Sequence, residues 1–250
     1  MILLDGLWWL LLLVGPLLFL QRRLHRETQA IFLLVTRRSE IALVLFSLLF
    51  FPGVLLHELS HYVMARLLGG RTGRLSLIPS PQKDGRLQLG YVETSATDFL
   101  RDALIGTAPL LTGGLFVAYA GLHRMDLTGL WTSLNIQGAT LLDTLDRLHQ
   151  IPDFWLWFYL TFTVSSTMMP SASDRRAWLP VTMVVGVLIA AVLVAGAGPW
   201  LLENVASPLN QALRAVAVVF GIGVGTHMVL LLPLWVLRQA LTRLTGLQVV

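Results

Sequence analysis

The chain has 250 residues, of which 55% are hydrophobic and only 13% charged, where an average soluble domain carries roughly 25% charged residues. Its mean hydropathy of +0.72 excludes an ordinary soluble fold and predicts an all-α polytopic membrane protein with little mass outside the bilayer. The formal charge of +4 rests on arginine, seventeen of the eighteen basic residues. Pairs such as Arg22-Arg23, Arg37-Arg38 and Arg175-Arg176 flank apolar segments, as contacts to lipid headgroups and topology signals do. No basic face with interleaved aromatics points to nucleic acid. The absence of cysteine excludes disulfides and thiolate metal ligands.

Six apolar segments are predicted as membrane helices, at about residues 6–21, 41–69, 99–122, 153–170, 177–202 and 209–240. The first lacks a basic leader and a small-residue cleavage site, so it is expected to be a retained helix. Residues 21–40 form an arginine-rich connection whose apolar centre, Ala30 to Val35, is expected to lie along the interface. The second segment is long for one span, and Pro52-Gly53 is expected to kink or divide it. Beyond it, Arg74-Leu75-Ser76-Leu77-Ile78 and the run from Arg86 through Leu89 to Val92 alternate polar and apolar side chains. Pro79, Pro81 and Lys83-Asp84-Gly85 separate them, which predicts a small β-hairpin between the second and third helices. Residues 123–152 are polar, with Leu141, Leu142, Leu145 and Leu148 at helical spacing, and predict an interfacial amphipathic helix. Arginines at 71–101, 175–176 and 238–243 favour cytoplasmic N- and C-termini, against five arginines between Arg22 and Arg38 on the other side.

The second segment carries His57-Glu58-Leu59-Ser60-His61. On a helix, His57 and His61 project from one face and can reach one zinc ion, with Glu58 beside them to deprotonate a metal-bound water. Two imidazoles and a carboxylate are costly at membrane depth unless they line a polar cavity. The bland reading is a buried polar helix contact with Glu58 paired to Arg66. A hydrolytic zinc site needs a third protein ligand. His25, His123 and His149 fall in polar connections. His227 lies in the small-residue stretch Gly221 to Gly225-Thr226-His227, where a hydrogen-bonded packing histidine is the usual finding. Asp174 follows Pro170-Ser171-Ala172-Ser173 at the end of an apolar segment, where the proline can open the helix and aim a carboxylate inward. Its bland reading is a helix end paired with Arg175 or Arg176, and chemistry alone leaves Asp174 and His227 both open.

These residues resemble the site-2 protease family of intramembrane zinc metalloproteases, over roughly residues 50–175. The likeness lies in His57 to His61 followed by Gly69-Gly70, the hairpin-like stretch Gly73 to Glu93, Gly106-Thr107-Ala108-Pro109-Leu110-Leu111-Thr112-Gly113, and Pro170 to Asp174. It implies zinc held by His57, His61 and Asp174, with Glu58 as general base and then general acid in peptide-bond hydrolysis. It also implies a catalytic core at about 41–176 within a single transmembrane domain spanning 1–250, with accessory helices at 1–40 and 177–250. Two motifs depart from the family pattern. Ser173-Asp174-Arg175 stands for Leu-Asp-Gly, and Thr112 stands where an asparagine would polarise the scissile carbonyl or seat the substrate. No stretch is long and polar enough for the PDZ or CBS domains of many relatives.

The expected function is therefore regulated intramembrane proteolysis of a membrane-protein substrate, with Thr112, Leu75, Leu77 and Leu89 as candidate substrate contacts through carbonyl binding and strand addition. The lipid bilayer and a regulatory membrane protein are the expected partners. The expected location is a prokaryotic cytoplasmic membrane, with the active site nearer the cytoplasmic face. Two rivals stay open: a zinc-binding membrane scaffold or sensor without protease activity, and a transporter with its histidines lining an ion path. The second lacks the repeated halves that transporters show.

Overall fold

The structure, a computed structural model, describes residues 4–77, 80–81, 87–88, 90–94, 98–135 and 140–247. Among the described residues, four helices are long and apolar enough to cross a bilayer: α1 (Asp5–Thr36), α2 (Ser39–Leu67), α3 (Phe99–Tyr119, continued by a π-helical turn to Arg124) and α9 (Ala206–Thr245). Between α3 and α9 lie α4 (Leu127–Asn135), α5 (Leu141–Gln150), α6 (Phe154–Thr167), α7 (Trp178–Val194) and α8 (Gly198–Asn204). The chain thus has the helical, multi-pass character predicted, with four candidate crossings, or five if the bent pair α7–α8 is one broken span.

The count falls short of six for local reasons. The fourth apolar segment stops as a helix at Thr167, ahead of Pro170, and its 14 residues reach only about 21 Å. The fifth segment is bent by 118° between α7 and α8, where Gly196 takes φ +78, a conformation that suits glycine. Two other expectations also differ. α1 does not end near residue 21 but runs on to Thr36, and α2 is not divided at Pro52 but continues through it as one helix. The arginine-rich half of α1 is held in its helix by packing on α9. Glu27, 2% exposed, pairs with Arg23 one turn away and with Arg238 of α9.

Contacts along the helices fix their directions. Asp5 and Gly6 meet Arg214 and Asn210, while Glu27 meets Arg238, so α1 and α9 are parallel. The start of α1 and the end of α9 therefore lie at opposite ends of this pair, whereas N- and C-termini on one face would need an antiparallel pair. α2 and α6 are also parallel: the Tyr159 hydroxyl donates to the Leu49 carbonyl, Gly53 touches Thr163, and His57 meets Thr167. α3 runs against α6, with Gly113 beside Met168 and Gly106 beside Asp174.

Glycines allow these crossings to be close. A Cβ on Gly53 would overlap the Thr163 backbone, one on Gly106 would overlap the Asp174 carbonyl, and one on Gly113 would lie 2.6 Å from Met168 Cβ. Around them, Leu17, Val117, Val164, Met168, Val219 and Phe220 form one apolar cluster, and Leu24, Phe46, Phe50, Val54 and Phe162 form a second.

Two short antiparallel strand pairs lie between α2 and α3: β1 (Thr72–Ser76) with β4 (Tyr91–Thr94), and β2 (Ser80–Pro81) with β3 (Leu87–Gln88). The sequence predicts strands over 74–78 and 86–92, whereas β1 begins two residues earlier and β4 ends two residues later. α5 is entered through a reciprocal cap between Thr140 and Asp143. The Thr140 hydroxyl donates to the Asp143 carboxylate and holds its pKa below the ordinary value. Leu142 and Leu145 of α5 are exposed, while Leu148 packs beside Met125, Leu130 and Phe154.

Candidate metal centre

His57 and His61 project from one face of α2 with their Nε2 atoms 3.2 Å apart. His57 Nδ1 lies 2.7 Å from the Thr167 carbonyl oxygen of α6, and His61 Nδ1 lies 2.9 Å from the Ile105 carbonyl oxygen of α3. A carbonyl only accepts, so each Nδ1 carries the proton, and in a neutral ring each Nε2 presents a lone pair. Two lone pairs facing each other at this distance repel, and a cation between them removes the repulsion. Metal–nitrogen bonds of about 2.0–2.1 Å in a tetrahedral site set ligand atoms about 3.3 Å apart.

Asp174 completes the group. Its Oδ1 lies 3.5 Å from His61 Nε2 and its Oδ2 lies 3.9 Å from His57 Nε2. The three ligand atoms all fall within 4.8 Å of one another, a group that can hold a metal ion. The donor set of two neutral imidazoles and one carboxylate fits a divalent ion that keeps a fourth position open.

Prolines explain why the supporting carbonyls are free. Pro109 has no N–H to give to the Ile105 carbonyl one turn back in α3, and His61 takes that acceptor instead. At the end of α6, the N–H of Ser171 turns away from the helix and donates to Asp174 Oδ2 at 2.7 Å. The Thr167 carbonyl, which would otherwise have received it, accepts from His57. One helix end therefore orients both a histidine and the carboxylate. Of the two arginines that the bland reading pairs with Asp174, Arg175 donates its Nε to the Ser171 carbonyl, while the Asp174 carboxylate faces His57 and His61.

Glu58 is buried on α2 and interacts electrostatically with both His61 and Asp174. Gly90, just before β4, lies against it: a Cβ there would be 2.9 Å from Glu58 Cγ and 3.1 Å from Oε1. Only glycine lets the strand backbone approach this carboxylate so closely.

The remaining described candidates lie on α3, on and beside β1, on α9 and on α1. The Thr112 hydroxyl donates to the Ala108 carbonyl of its own helix at 3.0 Å, and Thr112 sits six residues beyond Gly106, about 9 Å along the axis. Leu75 is exposed on β1, and Leu77 packs on the cluster of Phe46, Phe50 and Phe162 rather than facing outward. Leu89 lies outside the described residues. His227 is not in the metal group but bonds Ser166 and the Gly223 carbonyl. His25, expected at an interface, packs edge-on against Phe46 and Phe50. The supporting groups that sequence misses are mostly backbone: Thr167 and Ile105 carbonyls and the Ser171 N–H. Pro109, Pro170, Gly90 and Gly106 are the signals that could have marked them.

No family model, curated protein or solved structure matches this chain.

Proposed function

We propose that this protein is an intramembrane zinc metalloendopeptidase that cleaves membrane-embedded or membrane-proximal segments of other membrane proteins. The observation that carries the reading is the pair of facing imidazole Nε2 atoms 3.2 Å apart, with a carboxylate 3.5 Å from one of them. Zinc held by His57, His61 and Asp174 would supply a Lewis acid that makes water acidic near neutral pH. Glu58, one residue from His57 and shielded by Gly90, accepts the proton of the attacking water and returns it to the leaving amine. β1, with Leu75 exposed, offers an extended segment against which an unwound substrate can pair. Such pairing matters because a membrane helix buries its own carbonyls in hydrogen bonds. Arg66, Arg71 and Arg74 near the strand end of α2 favour a cytoplasmic setting for this side.

The alternative, a zinc-binding membrane scaffold or sensor, draws support from Thr112, whose hydroxyl serves its own helix and leaves the oxyanion side without an assigned donor. Reconstituted protein and a panel of single-span substrates separate the two. Cleavage by the wild type that falls at least about 100-fold in Glu58→Gln, with metal retained, is the expected result. Undiminished cleavage by Glu58→Gln refutes the base, and a metal-loaded wild type that cleaves nothing in the panel favours the scaffold.

A further inference from the structure

α6 ends where the chain most needs partners for its carbonyls. The last four carbonyls of a helix have no partner within it, and a buried carbonyl left unpaired is costly. Val164 keeps the N–H of Met168, at 2.9 Å. Pro170 has no N–H to offer Ser166, and that carbonyl is taken by the side-chain amide of Gln21 from α1. The side chain of the same residue is held from another helix: Ser166 Oγ lies 2.9 Å from His227 Nε2 of α9. His227 Nδ1 sits 2.7 Å from the Gly223 carbonyl, so Nδ1 is the donor and Nε2 the acceptor of the Ser166 hydroxyl proton. His227 is fully buried, with its ring edge-on to Phe162. Ser166 is thus gripped by two helices, one peptide before the carbonyl that orients His57.

Resting on the metal-centre reading above, we infer that Gln21 and His227 are positioning residues of the metal centre. By clamping Ser166 at the open end of α6, they keep the Thr167 carbonyl aimed at His57 Nδ1, and through it His57 Nε2 aimed at the metal. A histidine that merely packs α9 on α6 would contribute to stability in the same way as Leu17 of α1, which is also fully buried, in the cluster with Val164 of α6 and Val219 and Phe220 of α9. A clamp acting on His57 affects the metal as well.

The test uses full-length detergent-solubilised protein, stripped by chelator and titrated with cobalt(II), whose visible absorption reports ligand geometry. His227→Ala and Gln21→Ala are expected to lower cobalt affinity by about tenfold, the lower end of what outer partners of metal ligands provide, and to alter the visible bands. His227→Gln, which keeps an acceptor for Ser166, recovers much of both. Leu17→Ala lowers the melting temperature but leaves affinity and bands unchanged. Gln21→Ala keeps the test open if His227→Ala does not fold. Wild-type affinity and bands in folded His227→Ala or Gln21→Ala overturn the inference. A wild type that binds no cobalt, or a His57→Ala variant that binds it equally well, instead overturns the metal-centre reading on which the inference stands.

Discussion

α7 and the crossing of α2 with α3 and α6 are made of similar material and behave in opposite ways. Trp178–Val194 contains no charged residue, and neither does the stretch 41–56 of α2. No residue of α7 is buried, whereas α2 buries Phe46, Phe50, Gly53, Glu58 and His61. Gly186 in the middle of α7 has open space around its Cα, while Gly53, Gly106 and Gly113 each meet another helix. Apolar side chains gain nothing by leaving lipid for one another, so hydropathy does not draw helices together in a bilayer. Close approach of small residues and hydrogen bonds from polar groups do. The candidate metal centre of His57, His61 and Asp174 sits where both are concentrated.

The largest effect expected from this contrast comes from adding bulk at a glycine. Gly106→Leu drives a side chain into the Asp174 carbonyl, and overpacking of this kind costs about 1–3 kcal/mol or more. It is expected to lower the melting temperature and weaken metal binding together. Gly186→Leu, placed in open space, is expected to change neither. Equal losses in both variants would break the distinction between the two regions. A smaller effect is expected from Thr112→Ala: with its hydroxyl bonded within α3, removal is expected to leave metal affinity unchanged and cleavage within about twofold, far from the loss that removing a true oxyanion donor brings. The smallest concerns the surface cap of α5. Asp143 is held below its ordinary pKa in the folded state, so its contribution is present above about pH 3.9 and is lost as the pH falls through the lower folded value. Amide exchange in α5 is expected to quicken in that acid range, with the buried part of α2 unaffected.

How much of this is legible in the sequence follows the same division. His57, Glu58 and His61 lie on one helix, where spacing alone puts them together. Asp174 needs a tertiary contact, and only its place after Pro170, with the resemblance, singles it out. Its supporting groups are the Thr167 and Ile105 carbonyls and the Ser171 N–H, which every residue type possesses. Pro109 is visible in the sequence, but that it frees the Ile105 carbonyl for His61 is apparent only once α2 and α3 are set side by side. Hydropathy marks the apolar stretches, but the helix stop at Thr167 and the turn at Gly196 barely alter it and show only in the structure. The parallel packing of α1 on α9 depends on Asp5 with Arg214 and Glu27 with Arg238, pairs whose members lie at opposite ends of the sequence.

The most direct measurement is the metal content of purified, folded protein by mass spectrometry, for the wild type, His57→Ala and Asp174→Ala. The arrangement of His57, His61 and Asp174 predicts about one zinc per chain, as a single three-ligand site would hold, and loss of that zinc in both variants. No metal in a well-folded wild type taken up from zinc-replete cells, or zinc fully retained without Asp174, would contradict it.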